Sequence, residues 1–253
     1  MVDYYALAAD RFRQGRSGQA LHVLGRIRDQ WDADGRCWEL AGQIHFDLGD
    51  LSAAAAALEI AAILLPLSAA AQCRLAECYL RTQRPDLAAC IYRHLATIEN
   101  LDEADAVDTV RGLLRVDAIG EGVELGLLTL RRFRENHRLL MLVADGLERS
   151  GLGPQAALPM LLQAERLQPK NLHYKIAVIK RLVEAGRRLD AVRRLRVIEV
   201  ESLDCVASLQ RLRLLLAACG EEERAEACHA RLAQIEYETV SSYRPSDEED
   251  GDD

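Results

Sequence analysis

The chain has 253 residues, of which 49% are hydrophobic, 28% charged and 5% aromatic, with a formal net charge of −8. That length can bury a substantial core, and the dominance of Leu, Ala and Arg favours helices over sheets. The negative sum argues against a general nucleic-acid binder, which needs a basic footprint to neutralise phosphates. Seven cysteines, an odd number without a Cys-x-x-Cys pair, are the usage of a reducing cytosol rather than a disulfide framework, so a cytoplasmic protein is expected.

The start, MVDYYALAADRFRQG, places Asp3, Asp10, Arg11 and Arg13 where a secretory leader would be apolar. A first helical hairpin is read over 1–34 from Tyr4, Leu7, Ala8, Gly15, Ala20, Leu24 and Ile27. The second, over 35–68, puts Trp38, Gly42, Gly49, Ala54, Leu58, Ala61 and Pro66 in matching slots. Trp38, Ala41 and His45 share one face of its first helix, Gly49 and Asp50 make the turn, and Pro66 stops the second helix. The apolar run from Ala53 to Ala71 is rich in alanine and interrupted by Glu59 and Pro66, so no membrane insertion is expected. The third hairpin, 69–102, aligns Leu75, Ala76, Tyr79, Ala88, Tyr92 and Leu95. One inserted residue near Leu101 to Glu103 shifts the frame, and windows 104–137, 138–171, 172–205 and 206–239 follow. The remainder, 240–253, is charged and almost without apolar residues, and reads as an acidic disordered tail.

Three columns support this phasing. Position 15 holds Gly15, Gly49, Gly186 and Gly220, which can take the left-handed conformation that ends a helix. Position 17 holds Pro85 and Pro154, suited to a first helical turn. Position 20 is Ala20, Ala54, Ala88, Ala157, Ala191 and Ala225, with Val123 in the fourth window, so paired helices can approach closely. The pattern resembles the tetratricopeptide repeat, a helix-turn-helix unit of 34 residues. The resemblance implies an all-α protein, a right-handed α-solenoid of about seven such repeats with an inner groove. Position 8, small in Ala8, Gly42 and Ala76, becomes Arg111, Asp145, Ile179 and Arg213 later, which departs from the family pattern. Gly120, Gly122 and Gly126 weaken the fourth unit, suggesting a hinge between 96 and 126, and Pro159 should kink or shift the helix that contains it.

GEGVELG misses the spacing of a dinucleotide fingerprint and no strand precedes it; GxxxxGK[ST], HExxH and GxSxG do not occur. Cys73, Cys78, Cys90 and His94 could be imagined as metal ligands, but small buried cysteines are common core fillers. The histidines share no acid, so no enzyme, metal or cofactor is expected. In the family resembled, ligand-facing positions are 2, 5, 9 and 12 of each first helix. Carried over by register, they are Tyr5, Ala9 and Phe12; Arg36, Glu39, Gln43 and Phe46; Cys73, Glu77 and Leu80; Asp105, Asp108 and Arg115; and Leu142, Arg149, His173, Ile176 and Lys180. Acids in these slots would repel a carboxylate, which disfavours the grip on chaperone C-termini seen in some members. A groove mixing aromatics with acids suits a peptide with apolar anchors and basic side chains, or the alternative that these residues are core and solvated face.

A protein-binding scaffold or adaptor is therefore expected. A secretion-type chaperone is the alternative, since LAGQIHFDLGD and LAECYLRTQRPD look somewhat like repeats of bacterial translocator chaperones. Arg187, Arg188, Arg193, Arg194 and Arg196 are expected to face outward, as a solvated face or as a dock for the acidic tail, an acidic protein or, least favoured, RNA.

Overall fold

The computed structural model describes residues 3–27 and 34–242. Among them are fourteen α-helices, two for each of the seven windows. They are α1 (Tyr4–Arg13), α2 (Ser17–Gly25), α3 (Gly35–Asp47), α4 (Leu51–Leu64), α5 (Ala69–Arg81), α6 (Pro85–Ala96) and α7 (Glu103–Arg115), followed by α8 (Ile119–Arg132), α9 (His137–Arg149), α10 (Pro154–Leu167), α11 (Leu172–Glu184), α12 (Arg188–Leu195), α13 (Val206–Ala218) and α14 (Glu222–Ser242). A short 3₁₀ turn, Val200–Ser202, precedes α13. The fold is an α-solenoid of tetratricopeptide-like hairpins.

Two ladders of local chemistry set the helix boundaries. The first helices of successive hairpins are capped by Asp34, Ser68, Asp102, Asn136 and Asn171, whose side chains accept from backbone amides of the first turn. Each such cap is worth about 1 kcal/mol. Within hairpins the chain turns through positive φ at Gly15, Gly49, Gln83, Asp117, Gly151, Gly186 and Gly220. Both ladders step by one repeat length until the fifth hairpin and then by one residue more. The inserted residue therefore lies in the Gly151–Pro154 turn, where Gly153 also has φ +81°, and not near Leu101 to Glu103. Gln83 and Asp117 hold the left-handed position in the third and fourth hairpins at roughly 1–2 kcal/mol each, so no glycine marks the frame there.

With the register corrected, position 8 of the fourth and fifth hairpins is Val110 and Ala144, both buried, rather than Arg111 and Asp145. The departure from the family pattern narrows, since the two charges give way to apolar residues, but Ile179 and the exposed Arg213 keep their places. Position 20 of the fourth hairpin becomes Gly122, buried, instead of the half-buried Val123. A Cβ on Gly122 would come within 3.1 Å of Leu114, and one on Gly42 within 2.5 Å of Leu58, so these glycines serve close helix packing. Pro159 does not shift its helix. α10 starts at Pro154 and runs through Pro159, which lies on the exposed face where solvent can meet the carbonyl that proline leaves without a donor.

The helices form two compact units, Met1–Arg134 and Glu135–Asp253. The division follows the fourth hairpin. In the first unit Ala8, Ala20, Leu24, Leu40 and Ile44 form one apolar cluster, and Leu58, Leu75, Tyr92, Leu95 and Leu113 belong to a second. In the second unit Leu158, Leu161, Ile179, Leu195, Leu209, Leu212 and Leu216 share a core. Each buried leucine contributes roughly 1.5–3 kcal/mol relative to exposure. α14 continues to Ser242, past the expected solenoid end at 239. The acidic tail from 243 onward, and its suggested docking on the arginine-rich face, lie outside the described residues.

Candidate functional site

In the first unit the facing first helices α3, α5 and α7 shape a groove of about 570 Å³. The cap at Asp102 starts α7 so that Asp105 and Asp108 meet Cys73 and Glu77 of α5 across it, with Phe46 of α3 at one end. The structure thus gathers Phe46, Glu77, Asp105, Asp108 and Arg115 on one surface. Sequence reasoning missed Arg74, Arg81, Arg111 and Tyr92 there. Arg111 occupies position 9 of the fourth hairpin once the register is corrected, whereas Tyr92 belongs to a second helix and no first-helix register could have found it.

Most charges in this groove are already matched. Arg81 Nε donates to Glu77 Oε1 at 2.7 Å, and Arg115 bridges from α7 to the other oxygen of the same carboxylate. Arg111 pairs with Asp108 one turn away. Arg74 lies 4.0 Å from Asp47 and its guanidinium stands 6.0 Å over the Phe46 ring. The acids and the aromatic edge expected there are present, and arginines join them in salt bridges. Asp105 is different: among the described residues its carboxylate has no ion-pair partner. Burial raises its pKa above the ordinary 3.8, reinforced by Asp102 and Asp108 and opposed by Arg74. The neighbouring Cys73 thiol is pushed up to about 12, chiefly by burial, and lies 3.7 Å from Thr109 Oγ1.

The remaining N-terminal candidates sit outside that groove. Arg36 holds the Asp34 carboxylate with Nε and Nη2, at 3.1 and 3.0 Å, and stands 5.3 Å over the Tyr5 ring. Tyr5 and Phe12 pack against the first apolar cluster. Glu39 accepts from Gln43 at 3.1 Å and from the Ser68 hydroxyl, so the pair ties α3 to the start of α5. In the second unit Met141, Asp145, Glu148, His173, Ile176 and Lys180 are among the residues lining a smaller groove of about 330 Å³. Lys180 there lies 3.6 Å from Glu148 and 3.7 Å from Glu184. Leu142 and Arg149 do not line it; Arg149 lies 3.8 Å from Asp145. The frame error explains this, since one residue turns a helix by about 100°.

A tetratricopeptide-repeat family profile matches residues 5–66 and 40–96. The fold is similar to the C-terminal part of a tetratricopeptide repeat-containing protein from Cytophaga hutchinsonii, with TM-score 0.68, 8% identity and coverage of 95% of this chain and 99% of that one. A tetratricopeptide repeat protein from Parabacteroides merdae gives TM-score 0.66 at 13% identity, covering 95% of each chain. The fold is that of a tetratricopeptide-repeat helical protein, and the profile match covers its first three hairpins. YrrB, described as a tetratricopeptide-repeat protein with an unusual peptide-binding site, is similar at TM-score 0.58 and 13% identity over 68% of this chain and 88% of that one. At such identities these likenesses speak to the fold. No curated protein matches the sequence.

In the second unit the C-terminal arginines each meet a carboxylate or a backbone carbonyl. Arg187 and Arg193 share Asp190, Arg194 grips Glu165, and Arg196 reaches Glu221 at 3.1 Å. Arg188 donates to the Cys219 carbonyl at 3.1 Å, and Arg224 to those of Leu195 and Ile198. Arg188, Arg194, Arg196 and Arg224 therefore join neighbouring hairpins, while Arg187 and Arg193 pair within their own helix. Among the described residues no three His, Cys, Asp or Glu side chains are grouped to hold a metal, and no helix is long and apolar enough to cross a membrane. All seven cysteines are free; Cys90 and Cys205 are exposed.

Proposed function

We propose that the protein is a non-enzymatic adaptor that holds a segment of a protein partner in the groove of its first unit. The observation that carries this reading is the groove itself. It has about 570 Å³ of space between rigid helices, an aromatic edge at Phe46, and salt bridges that pre-position its walls. Such a surface can anchor a side chain while the paired charges offer hydrogen bonds to a backbone. The tetratricopeptide-repeat fold, typically an interaction module, supports the same reading. The free thiols are compatible with the cytoplasm expected from the cysteine usage. Partners include a folded protein's exposed segment or, in a chaperone role, an unfolded client.

Site-specific photo-cross-linking in the native lysate tests it. A benzophenone side chain at Ala104, exposed beside the groove, is compared with one at Ala62, exposed on α4. A discrete partner captured from position 104 and not from 62 is expected. Capture from 62 alone would overturn the groove reading.

A further inference from the structure

Tyr92 is the unusual member of the groove. It belongs to α6, the second helix of its hairpin, and is only 3% exposed, yet it lines the space between first helices. Gly112 on α7 makes this possible: a Cβ there would lie 2.2 Å from both Cε1 and Cζ of the Tyr92 ring. Among the described residues the Tyr92 hydroxyl has no hydrogen-bond partner. Tyr79 by contrast donates to Glu59 at 2.8 Å, and the Tyr174 hydroxyl is 2.6 Å from His137 Nδ1. The Tyr92 ring is enclosed, while its hydroxyl opens into the groove.

Asp105 is the second group left open. Its backbone carbonyl accepts from Thr109 at 2.7 Å, but its carboxylate meets no cation. The groove's arginines are engaged with Glu77, Asp108 and Asp47. The groove floor therefore presents a carboxylate without a salt bridge, only partly offset by Arg74, and a hydroxyl free to accept. An anion would face Asp102, Asp105 and Asp108. An apolar side chain would desolvate Asp105 and leave Tyr92 unpaired. A lysine or arginine head group satisfies both.

Resting on the groove reading above, we propose that this floor is a receptor for one basic side chain of the bound segment, whose cationic head group donates to the Asp105 carboxylate and the Tyr92 hydroxyl oxygen. Specificity then comes from buried polar groups that a neutral competitor leaves unmatched.

The test uses a phage-displayed library of random dodecapeptides selected on the full chain. Selected peptides should share one Lys or Arg. Replacing that residue by Met in a synthetic copy should weaken binding about ten-fold or more, and Tyr92→Phe about ten-fold, as for loss of a charge-assisted hydrogen bond. In Asp105→Asn, which keeps side-chain shape, the Met replacement should cost almost nothing further, because its partner charge is gone. Far-ultraviolet circular dichroism and tryptophan emission check that both variants fold. Peptides without a shared basic residue that still lose binding on Phe46→Ala would overturn this inference and leave the groove reading standing. Peptides indifferent to Phe46→Ala, Arg111→Glu and Asp105→Asn alike, or failure to select any groove-dependent peptide, would sink the groove reading itself.

Discussion

Gly112→Ala separates packing from propensity. Alanine is preferred over glycine inside a helix by about 1 kcal/mol, so propensity alone makes the variant more stable. Packing opposes it. The added methyl would sit 2.2 Å from two atoms of the Tyr92 ring, so the ring must move by more than 1 Å to reach ordinary contact. That ring is 3% exposed and belongs to the apolar cluster shared by α5, α6 and α7, so it cannot swing away cheaply. Overpacking of this kind costs about 1–3 kcal/mol, and a rigid ring edge places it at the upper end. The net expectation is a loss of about 2 kcal/mol. Both tryptophans, Trp31 and Trp38, fall within the first unit's residues, so a urea titration followed by tryptophan emission reports that unit selectively. Gly120→Ala is the control. It lies in α8 with nothing within 4 Å of its Cβ position, and should be neutral or stabilising by up to about 1 kcal/mol. Gly112→Ala combined with Tyr92→Leu should lose less than the sum of the single changes. Equal stability of Gly112→Ala and parent, with additive behaviour in the pair, would refute the close approach.

Arg181, buried to 8% exposure and paired with both Glu148 and Glu184, should cost about 2–3 kcal/mol when changed to Met, read as a lower thermal midpoint by calorimetry. Asp105→Asn should stabilise the first unit slightly, by well under about 1 kcal/mol because the carboxylate is partly solvated. The sign follows from its raised pKa: the penalty on the ionised form is complete above the folded pKa and is lost as pH falls through it toward the ordinary 3.8. The stability difference from parent should therefore vanish in acid, and a difference that grows there would contradict it. In native protein a thiol reagent should modify Cys90 and Cys205 quickly and the five buried cysteines only after unfolding. Cys205 should react faster near neutral pH, since hydrogen bonds from Ser208 hold its thiol below the usual range.

The helical hairpins were legible because three residue classes repeat on one period, and the structure places helices in every window. The frame was less legible. Glycine marks the left-handed turn in only some of the hairpins, because the backbone requires positive φ alone, which Gln83 and Asp117 also adopt. The cap series Asp34, Ser68, Asp102 and Asn136 was present in the sequence and would have kept the frame through the fourth hairpin, moving the insertion to the Gly151–Pro154 turn. In the groove, Glu77 and Asp108 were found as acids, but their arginine partners lie on a neighbouring helix or one turn away, so the sequence suggested a charge that the structure cancels. Tyr92 was read only as a core position. Its second role depends on Gly112, a residue whose meaning is an absence of side chain opposite a ring.

Gly112, Tyr92 and Asp105 each depart from a local preference on one groove: a glycine within a helix, a buried tyrosine whose hydroxyl opens to the groove without a protein partner, and a carboxylate partly desolvated without a salt bridge. Such breaches concentrated at one surface are expected where stability has been given up for binding. Paired tyrosine-to-phenylalanine changes make this measurable. Tyr79 donates to Glu59 at 2.8 Å, and Tyr79→Phe should cost about 1 kcal/mol through loss of that hydrogen bond. Tyr92→Phe removes a hydroxyl that bonds to nothing in the folded chain and should be neutral or slightly stabilising. Both residues lie in the first unit, so the same tryptophan-detected urea titration reads both. Equal losses in the two variants would mean that the Tyr92 hydroxyl is satisfied internally, and the groove floor would then have no open acceptor there for a partner's side chain.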